Sequence, residues 1–276
     1  MTFQKITNKI YLLLLLIIIF TSFLCGCGLY YDYEDNGSIG GVDSDTSFLV
    51  KEVVDGDTII LSDGSRVRLI GINTPEYGMY FYEEAREVLE AMVLGKEVML
   101  EKDISSVDKY GRLLRYVYVG DLFVNLEMVK RGFANAYTYP PDVKYTGKFL
   151  EAERYARENN LGLWLKSKVD IVKIEINYDA RGNDNMNLND EYVMLENIGN
   201  GSIDINSWTI KDSGTSIYKF GRYILEPGST IYLFTGSGSD GEGRFYWGSS
   251  RSIWNNDSDT LYLRDREGLL IEIYNY

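Results

Sequence analysis

The chain contains no histidine among its 276 residues. That absence excludes imidazole metal centres, Ser-His-Asp triads and histidine general bases together. Hydrolytic chemistry in such a chain must rest on carboxylates, cationic side chains and a metal held by oxygen. Cysteine is nearly missing too: the two present are Cys25 and Cys27, so no disulfide can staple the residues that follow them. Proline occurs four times against 27 glycines and 23 tyrosines, a balance that favours β-structure with many turns. A surplus of positive charge is also lacking. The net charge is −13, with 2 basic and 5 acidic residues in 1–47, 16 and 19 in 48–166, and 10 and 17 in 167–276. No segment is a basic blanket, so bulk charge cannot clamp a polyanion, and any phosphate contact must come from a local arrangement of cations. An apolar fraction of 45% and an aromatic fraction of 14% supply real cores, which argues against wholesale disorder. The length allows two ordinary domains and a targeting segment.

The targeting segment is readable at the N-terminus. Lys5 and Lys9 precede an apolar run over residues 10–20 that continues to Leu24. A charged start followed by a run too short for a preferred membrane span is signal-peptide patterning. The run ends in Leu24-Cys25-Gly26-Cys27, which resembles the lipobox of lipoproteins, with Gly26 as the small residue before the cut and Cys27 as the lipidated residue. An uncleaved anchor helix or an ordinary secretory peptide is the plainer alternative. The expected address is extracytoplasmic, either membrane-anchored at the cell surface through Cys27 or secreted. Residues 28–47 are rich in Gly, Ser and acids without periodicity and read as a flexible linker.

From residue 48 the pattern turns to folded structure. Strand-like alternation covers 48–54, 58–61 and 66–70, with Ser62-Asp63-Gly64-Ser65 as a turn. Residues 83–94 repeat their apolar positions with helical period and stop at Gly95. Further strands are expected at 97–101 and 113–119, and further helices at 122–130 and 149–159. Five short strands with three helices suit an α+β fold built on a small OB-type barrel.

Three motifs and a tail carry a family resemblance. Val54-Asp55-Gly56-Asp57-Thr58, Arg68-Leu69-Ile70-Gly71-Ile72-Asn73-Thr74-Pro75-Glu76 and Asp108-Lys109-Tyr110-Gly111-Arg112 resemble the successive signatures of the staphylococcal nuclease (thermonuclease) family. Asn159-Asn160-Leu161-Gly162-Leu163-Trp164 matches its tail, and the resemblance spans residues 48–166. It implies an endonuclease that hydrolyses phosphodiester bonds of DNA or RNA and leaves 3′-phosphate ends. It implies Asp57, with the residues at 73 and 74, as holders of Ca2+, Glu76 as the base or water-orienting group, and Arg68 and Arg112 as phosphate binders. It also matches Lys109, Tyr110, Tyr137 and Tyr139 to residues around the bound nucleotide.

The residue types suit that chemistry. A phosphodiester repels its attacker, so catalysis must neutralise the phosphate oxygens, position a water and remove its proton. Asp57 offers a carboxylate to a hard cation. Glu76, held next to Pro75, can act on the water, and two guanidinium forks can grip phosphate oxygens. Tyrosine rings offer faces for base stacking. Plainer readings stand beside each of these. Asp55-Gly56-Asp57 is also good hairpin chemistry, Arg68 and Glu76 could form a surface ion pair, Arg112 could sit on a solvated strand edge, and Tyr137 and Tyr139 could simply pack. One position departs from the family, which usually has aspartate where this chain has Asn73. The amide keeps an oxygen and loses a charge, so weaker calcium binding is expected, with Asp55 near enough to compensate.

From residue 169 the texture is all strand and turn, with strand-like runs at 170–177, 192–198, 207–211, 216–220, 230–235, 260–264 and 269–274. Ile171-Val172-Lys173-Ile174-Glu175-Ile176, Ser207-Trp208-Thr209-Ile210-Lys211-Asp212, Leu225-Glu226-Pro227-Gly228 and Asp259-Thr260-Leu261-Tyr262-Leu263 resemble the lamin-tail domain. The implied fold is an all-β immunoglobulin-like sandwich over 170–276, serving to bind or position something. Trp208 reads as core, and residues 179–191, dense in Asn and Asp, read as a solvated loop. The charge of this part makes direct DNA binding its least attractive role. The leading expectation is a surface-tethered, calcium-dependent nuclease. The alternative is a non-catalytic nucleic-acid or protein binding lipoprotein whose barrel has degenerated.

Overall fold

A computed structural model describes residues 47–170 and 172–276. The leader at 1–27, with its lipidation residue Cys27, lies outside the described residues, as does the linker apart from its last position. Among the described residues no helix is long and apolar enough to cross a membrane.

The first half is a closed five-stranded barrel. Strands β1 (Phe48–Asp55), β2 (Thr58–Leu61) and β3 (Arg66–Leu69) form a meander, β1 pairs with β5 (Glu97–Glu101), and β5 pairs with β6 (Leu113–Val119). A parallel ladder between β3 and β6, with Arg68 opposite Leu114, closes the ring. The meander's turn works because Gly64 takes φ +87° and Asp63 Oδ1 accepts the Ser65 N–H at 2.8 Å, the local bond that favours Asp in turns. Ile59, Leu61, Val67 and Leu69 are fully buried in the barrel core.

Three helices cover it: α1 (Tyr82–Val93), α2 (Val124–Lys130) and α3 (Thr146–Glu158). The apolar stripe of α1 buries Ala85, Leu89, Met92 and Val93, while Glu83 and Glu84 in its first turn complement the helix dipole. The helix expected from 122 starts two residues later. Leu122 instead pairs back to Val119 in the short β7 (Leu122–Phe123), because the turn at Gly120, with φ +56°, makes a hairpin first. The third helix starts at Thr146, three residues before the expected start, where the chain turns with Thr146 N–H on the Val143 carbonyl. At the barrel seam Asn125 is fully buried. Its Oδ1 accepts the Val117 N–H at 2.9 Å and its Nδ2 donates to the Ile70 carbonyl at 2.9 Å. One side chain thus completes backbone hydrogen bonding where β3 leaves β6.

Two short strands, β4 (Ile72–Asn73) and β8 (Asn135–Ala136), pair antiparallel beside the barrel and put Asn73 opposite Asn135.

The second half is a sandwich of two four-stranded sheets. One contains β9 (Val172–Asn177), β10 (Tyr192–Asn197), β15 (Thr230–Phe234) and β16 (Arg244–Tyr246). The other contains β12 (Thr209–Lys211), β13 (Ile217–Lys219), β17 (Thr260–Arg264) and β18 (Leu270–Asn275), and a two-stranded pair is formed by β11 (Ile203–Asp204) and β14 (Ile224–Leu225). Trp208, Leu195, Leu225, Leu261 and Leu263 meet in its core, and Trp208 is core as expected. The segment read as a solvated loop is only partly so. Glu191 at its end is buried and accepts the Ile253 and Trp254 N–H groups, both at 3.2 Å.

The two halves share a third small core. Ala156, Leu163 and Trp164 from the barrel side bury against Tyr262 and Leu270, with Phe81 packed on them. Arg264, itself drawn down to about 10 by burial, donates to the Gly268 carbonyl at 3.0 Å and to that of Leu163.

Candidate active site

The site is assembled where β1 turns into β2. Asp55 Oδ1 accepts the Asp57 N–H at 3.0 Å, so the first carboxylate of the motif shapes the backbone that presents the second. Gly56 between them has no room for a side chain: a Cβ would come to 2.9 Å from both Ala85 on α1 and Thr74. This glycine therefore allows the turn, the helix and the Thr74 segment to close on one point. The hairpin chemistry and the site are the same feature.

Asp57 is 7% exposed. Its Oδ2 accepts the Thr74 N–H at 3.1 Å and the Thr74 hydroxyl at 2.9 Å, and lies 3.0 Å from Arg68 Nη2. Thr58 Oγ1 is 3.3 Å from its Oδ1. Burial raises its pKa above the usual carboxylate range. The Arg68 guanidinium opposes that shift, and the nearby Asp55 charge adds to it. The negative charge here is therefore only partly compensated by the protein's own groups.

Arg68 does not pair with Glu76. It points inward, with Nη2 3.0 Å from the Ile72 carbonyl and 3.3 Å from Asn73 Oδ1, and Nη1 on the Leu69 carbonyl. The chain can bring those carbonyls round because Gly71 has φ +79°, with the Phe149 ring pressed where a Cβ would stand. Asp57, Arg68, Asn73 and Thr74 are thus one contiguous group. Glu76 lies two residues beyond Thr74, exposed and outside any ion pair recorded among the described residues.

Arg112 comes from a separate turn. Asp108 Oδ1 accepts the Tyr110 and Arg112 N–H groups, each at 2.9 Å, and its Oδ2 accepts Arg112 Nε at 2.7 Å. Burial pushes the Asp108 carboxyl up, but the hydrogen bonds from Arg112 and Tyr110 outweigh it and hold it below the ordinary range. Only Nε of Arg112 is engaged in this bonding, so the guanidinium's outer edge remains available to a ligand. Arg112 immediately precedes Leu113, which pairs with Val67, so the turn emerges beside the strand that carries Arg68. Lys109 and Tyr110 are exposed on the same turn, with Lys109 Nζ 5.0 Å and the Arg112 guanidinium carbon 5.6 Å from the Tyr110 ring centre.

Tyr137 and Tyr139 follow β8. The Tyr137 N–H reaches the Gly71 carbonyl at 3.0 Å, and the two rings lie 6.2 Å apart and 14° from parallel. They are 49% and 64% exposed, so they present faces to solvent rather than filling the core. The sequence reading missed Tyr77, which is 85% exposed next to Glu76. Its only signal was an aromatic beside Glu76 in a turn. A surface depression of about 590 Å³ lies elsewhere, on the second domain, lined by Asn185, Asn189 and Ser237. It is open and holds none of the groups just described.

The candidate ligand atoms around Asp57 are oxygens, from the Asp55 and Asp57 carboxylates, the Asn73 amide and the Thr74 hydroxyl, with the Arg68 guanidinium lying against Asp57 and Asn73. Among the described residues no three Asp or Glu side chains gather as a metal cluster. The set fits a hard cation with a low count of ligand charges, and the incompletely compensated charge on Asp57 is what such a cation would neutralise.

The chain matches two families in succession. The profile of the family described as "Staphylococcal nuclease homologue" covers residues 66–166, and that of "Lamin Tail Domain" covers residues 166–276. A thermonuclease of Staphylococcus intermedius is 40% identical over 131 residues, covering 43% of this chain and 76% of that protein. The endonuclease YncB of Bacillus subtilis is 36% identical over 129 residues, 41% of this chain and 59% of that protein. An uncharacterized protein of Methanocaldococcus jannaschii is 30% identical over 195 residues, 55% of this chain and 93% of that protein. On this evidence the chain belongs to the staphylococcal nuclease family, its nuclease-type barrel followed by a lamin tail domain.

Proposed function

We propose that the chain is a calcium-dependent endonuclease that cleaves DNA or RNA to leave 3′-phosphate ends and works outside the cytoplasm, tethered through Cys27. The observation that carries this reading is the buried, undercompensated Asp57, bound to Arg68 and Thr74 two residues before an exposed glutamate. The family membership supports it.

Asp57, with the oxygens of Asn73 and Thr74, would hold the calcium, and the bound ion supplies positive charge against the phosphate. Arg112 reaches the phosphate oxygens from the side of the Asp108 turn, its Nε fixed by Asp108 so that its remaining N–H groups are aimed rather than searching. Arg68 sits within the wall and meets the phosphate with whatever donor capacity Asp57 and the two carbonyls leave. Glu76 is placed in solvent, where an attacking water can reach it; it accepts that water's proton as the new bond to phosphorus forms and the P–O5′ bond breaks, and the 5′ oxygen leaves and takes a proton from solvent. Tyr137 and Tyr139 offer stacked faces to neighbouring bases, a contact tolerant of sequence.

The test is digestion of single- and double-stranded DNA by the full chain, with calcium or with chelator. The expected result is calcium-dependent cleavage that Glu76→Gln or Arg112→Ala reduces by about two to four orders of magnitude. Nucleic-acid binding without cleavage under any metal would favour a degenerate barrel that only binds, the reading to which Asn73 and the small acidic set lend weight.

A further inference from the structure

The segment that carries Glu76 is held at both ends, and one end is held by the second domain. On the near side Thr74 is bonded to Asp57. On the far side the Tyr80 hydroxyl lies 2.8 Å from the Arg266 carbonyl and 3.1 Å from the Ser207 carbonyl, so its single proton is donated to one lamin-tail carbonyl or the other. The Tyr80 ring lies flat on the turn at Gly268, where a Cβ would stand 2.5 Å from Tyr80 Cγ. Burial, together with the Asp265 and Glu267 charges, raises the Tyr80 pKa, which keeps the hydroxyl a donor. Next to it Phe81 holds a left-handed backbone, φ +66°, unusual for an aromatic residue. Its side chain is packed on the core shared between the halves. Between these anchors the chain makes one turn, with the Met79 N–H on the Glu76 carbonyl at 2.9 Å.

The other arm of the site is also backed by the second domain. Asn73 pairs with Asn135 in the short β4–β8 ladder. The buried Tyr262 on β17 packs with Ala156 of α3 and with Trp164 in the shared core, and from the same helix Glu153 Oε1 accepts the Ala136 N–H at 3.1 Å. The strand that leads to Tyr137 and the turn that carries Glu76 thus both rest on lamin-tail residues.

We propose that the lamin tail domain is a structural part of the nuclease site, and that Tyr80 is a positioning residue that clamps the Glu76 segment onto it. The inference rests on the nuclease reading above and gives the second domain a role in the reaction. Most of the clamp's effect falls on the rate of the chemical step, because Glu76 acts on the water rather than on substrate binding.

The test uses the full chain with calcium and a short single-stranded DNA. In Tyr80→Phe, which keeps the ring and removes the donor, kcat falls about tenfold while KM stays within twofold and the melting temperature is nearly unchanged. Gly268→Ala, which drives the ring off from the other domain, gives the same split between kcat and KM together with a locally lower stability, since Gly268 holds φ +80°. Hydrogen exchange of backbone amides in residues 76–82 becomes faster in Tyr80→Phe while protection in the barrel strands is retained. An active wild type whose Tyr80→Phe and Gly268→Ala variants keep full kcat overturns the clamp alone. A loss that follows the melting temperature, with exchange faster throughout the chain, overturns it in favour of a purely structural contact. A wild type inactive with every metal overturns the nuclease reading, and the clamp with it.

Discussion

Replacing Arg68 by methionine isolates the electrostatics at the centre of the site. The stem's volume is kept and the charge is removed. Arg68 and Asp57 are 15% and 9% exposed at their side chains and 3.0 Å apart, so they fall in the buried regime rather than the surface one. Removing one member of a buried ion pair costs about 3–5 kcal/mol, most of it from the charge left behind. That cost depends on pH in a definite direction. In the folded protein Asp57 already binds its proton more tightly than a solvated carboxylate, and Arg68 is the main group opposing that shift. Without Arg68 the folded pKa rises further. Between the ordinary carboxylate value and this raised one, the folded state holds more protons than the unfolded chain, so stability falls as pH increases.

Wild type shares that loss up to its own folded pKa, so the gap between wild type and Arg68→Met should widen as pH rises from the wild-type carboxyl's folded pKa toward the variant's higher one, by at most about 1.4 kcal/mol per pH unit inside that window. Below the window both proteins carry a neutral Asp57. Only the lost hydrogen bonds to the Leu69 and Ile72 carbonyls then remain, at about 0.5–1.5 kcal/mol each. In thermal melts the full effect at pH 8 amounts to roughly 6–20 °C, at about 2–4 °C per kcal/mol for a chain of this size. Calcium added at pH 8 should recover part of the loss by neutralising the same carboxylate. A gap that is constant across the pH range and indifferent to calcium would refute the assignment of Asp57 as the undercompensated charge.

Three further outcomes follow from the geometry. Asn73→Asp should lower the calcium concentration for half-maximal activity by about tenfold, since ligand charge sets affinity; no change in a calcium titration would show that position 73 does not limit binding. Tyr139→Ala should raise KM several-fold with kcat nearly unchanged while Tyr139→Phe behaves as wild type, the mark of a stacking face worth about 1–3 kcal/mol; steady-state kinetics on single-stranded DNA reads the difference. Asn125→Ala should destabilise the chain by about 2–6 kcal/mol in denaturant melts, because it orphans the buried Val117 N–H and the Ile70 carbonyl, at about 1–3 kcal/mol each.

The chemistry-bearing cluster was legible because its residues are spaced by the fold's own connections. Asp57, the residue before β2, and Arg68 on β3 belong to one meander, and the β2–β3 ladder brings them together by setting Thr58 opposite Arg68. What the residues could not disclose were partners set by distant chain. The inward turn of Arg68 depends on carbonyls that come round only because Gly71 is left-handed. Glu191 sits in a run of Asn and Asp that looks solvated, yet its partners are the N–H groups of residues 253 and 254. Tyr80 looks like one more tyrosine in a tyrosine-rich chain, and its partners are more than a hundred residues away. The two- and three-residue strands β11, β14 and β16 are too short to show a period.

Asn73 and Arg68 are best understood as one adjustment. The amide oxygen of Asn73 lies 3.3 Å from the same guanidinium nitrogen that serves Asp57. A carboxylate there would put a second negative charge within reach of one cation. Yet burial already outweighs what that cation returns to the first. A site with both acids would be strained by charge whenever calcium was absent, and it would draw Arg68's capacity still further inward. With an amide at 73 the wall is closer to neutral without metal; under the proposed function Arg68 would keep more of its charge for phosphate, while calcium would be held by fewer charges and therefore more loosely. Loose binding is tolerable where calcium is plentiful, as for extracellular modules with dissociation constants of about 10⁻⁴–10⁻³ M. The substitution and the proposed address outside the cytoplasm are in that sense consistent, and a half-maximal calcium concentration in the micromolar range or below would break the link between them.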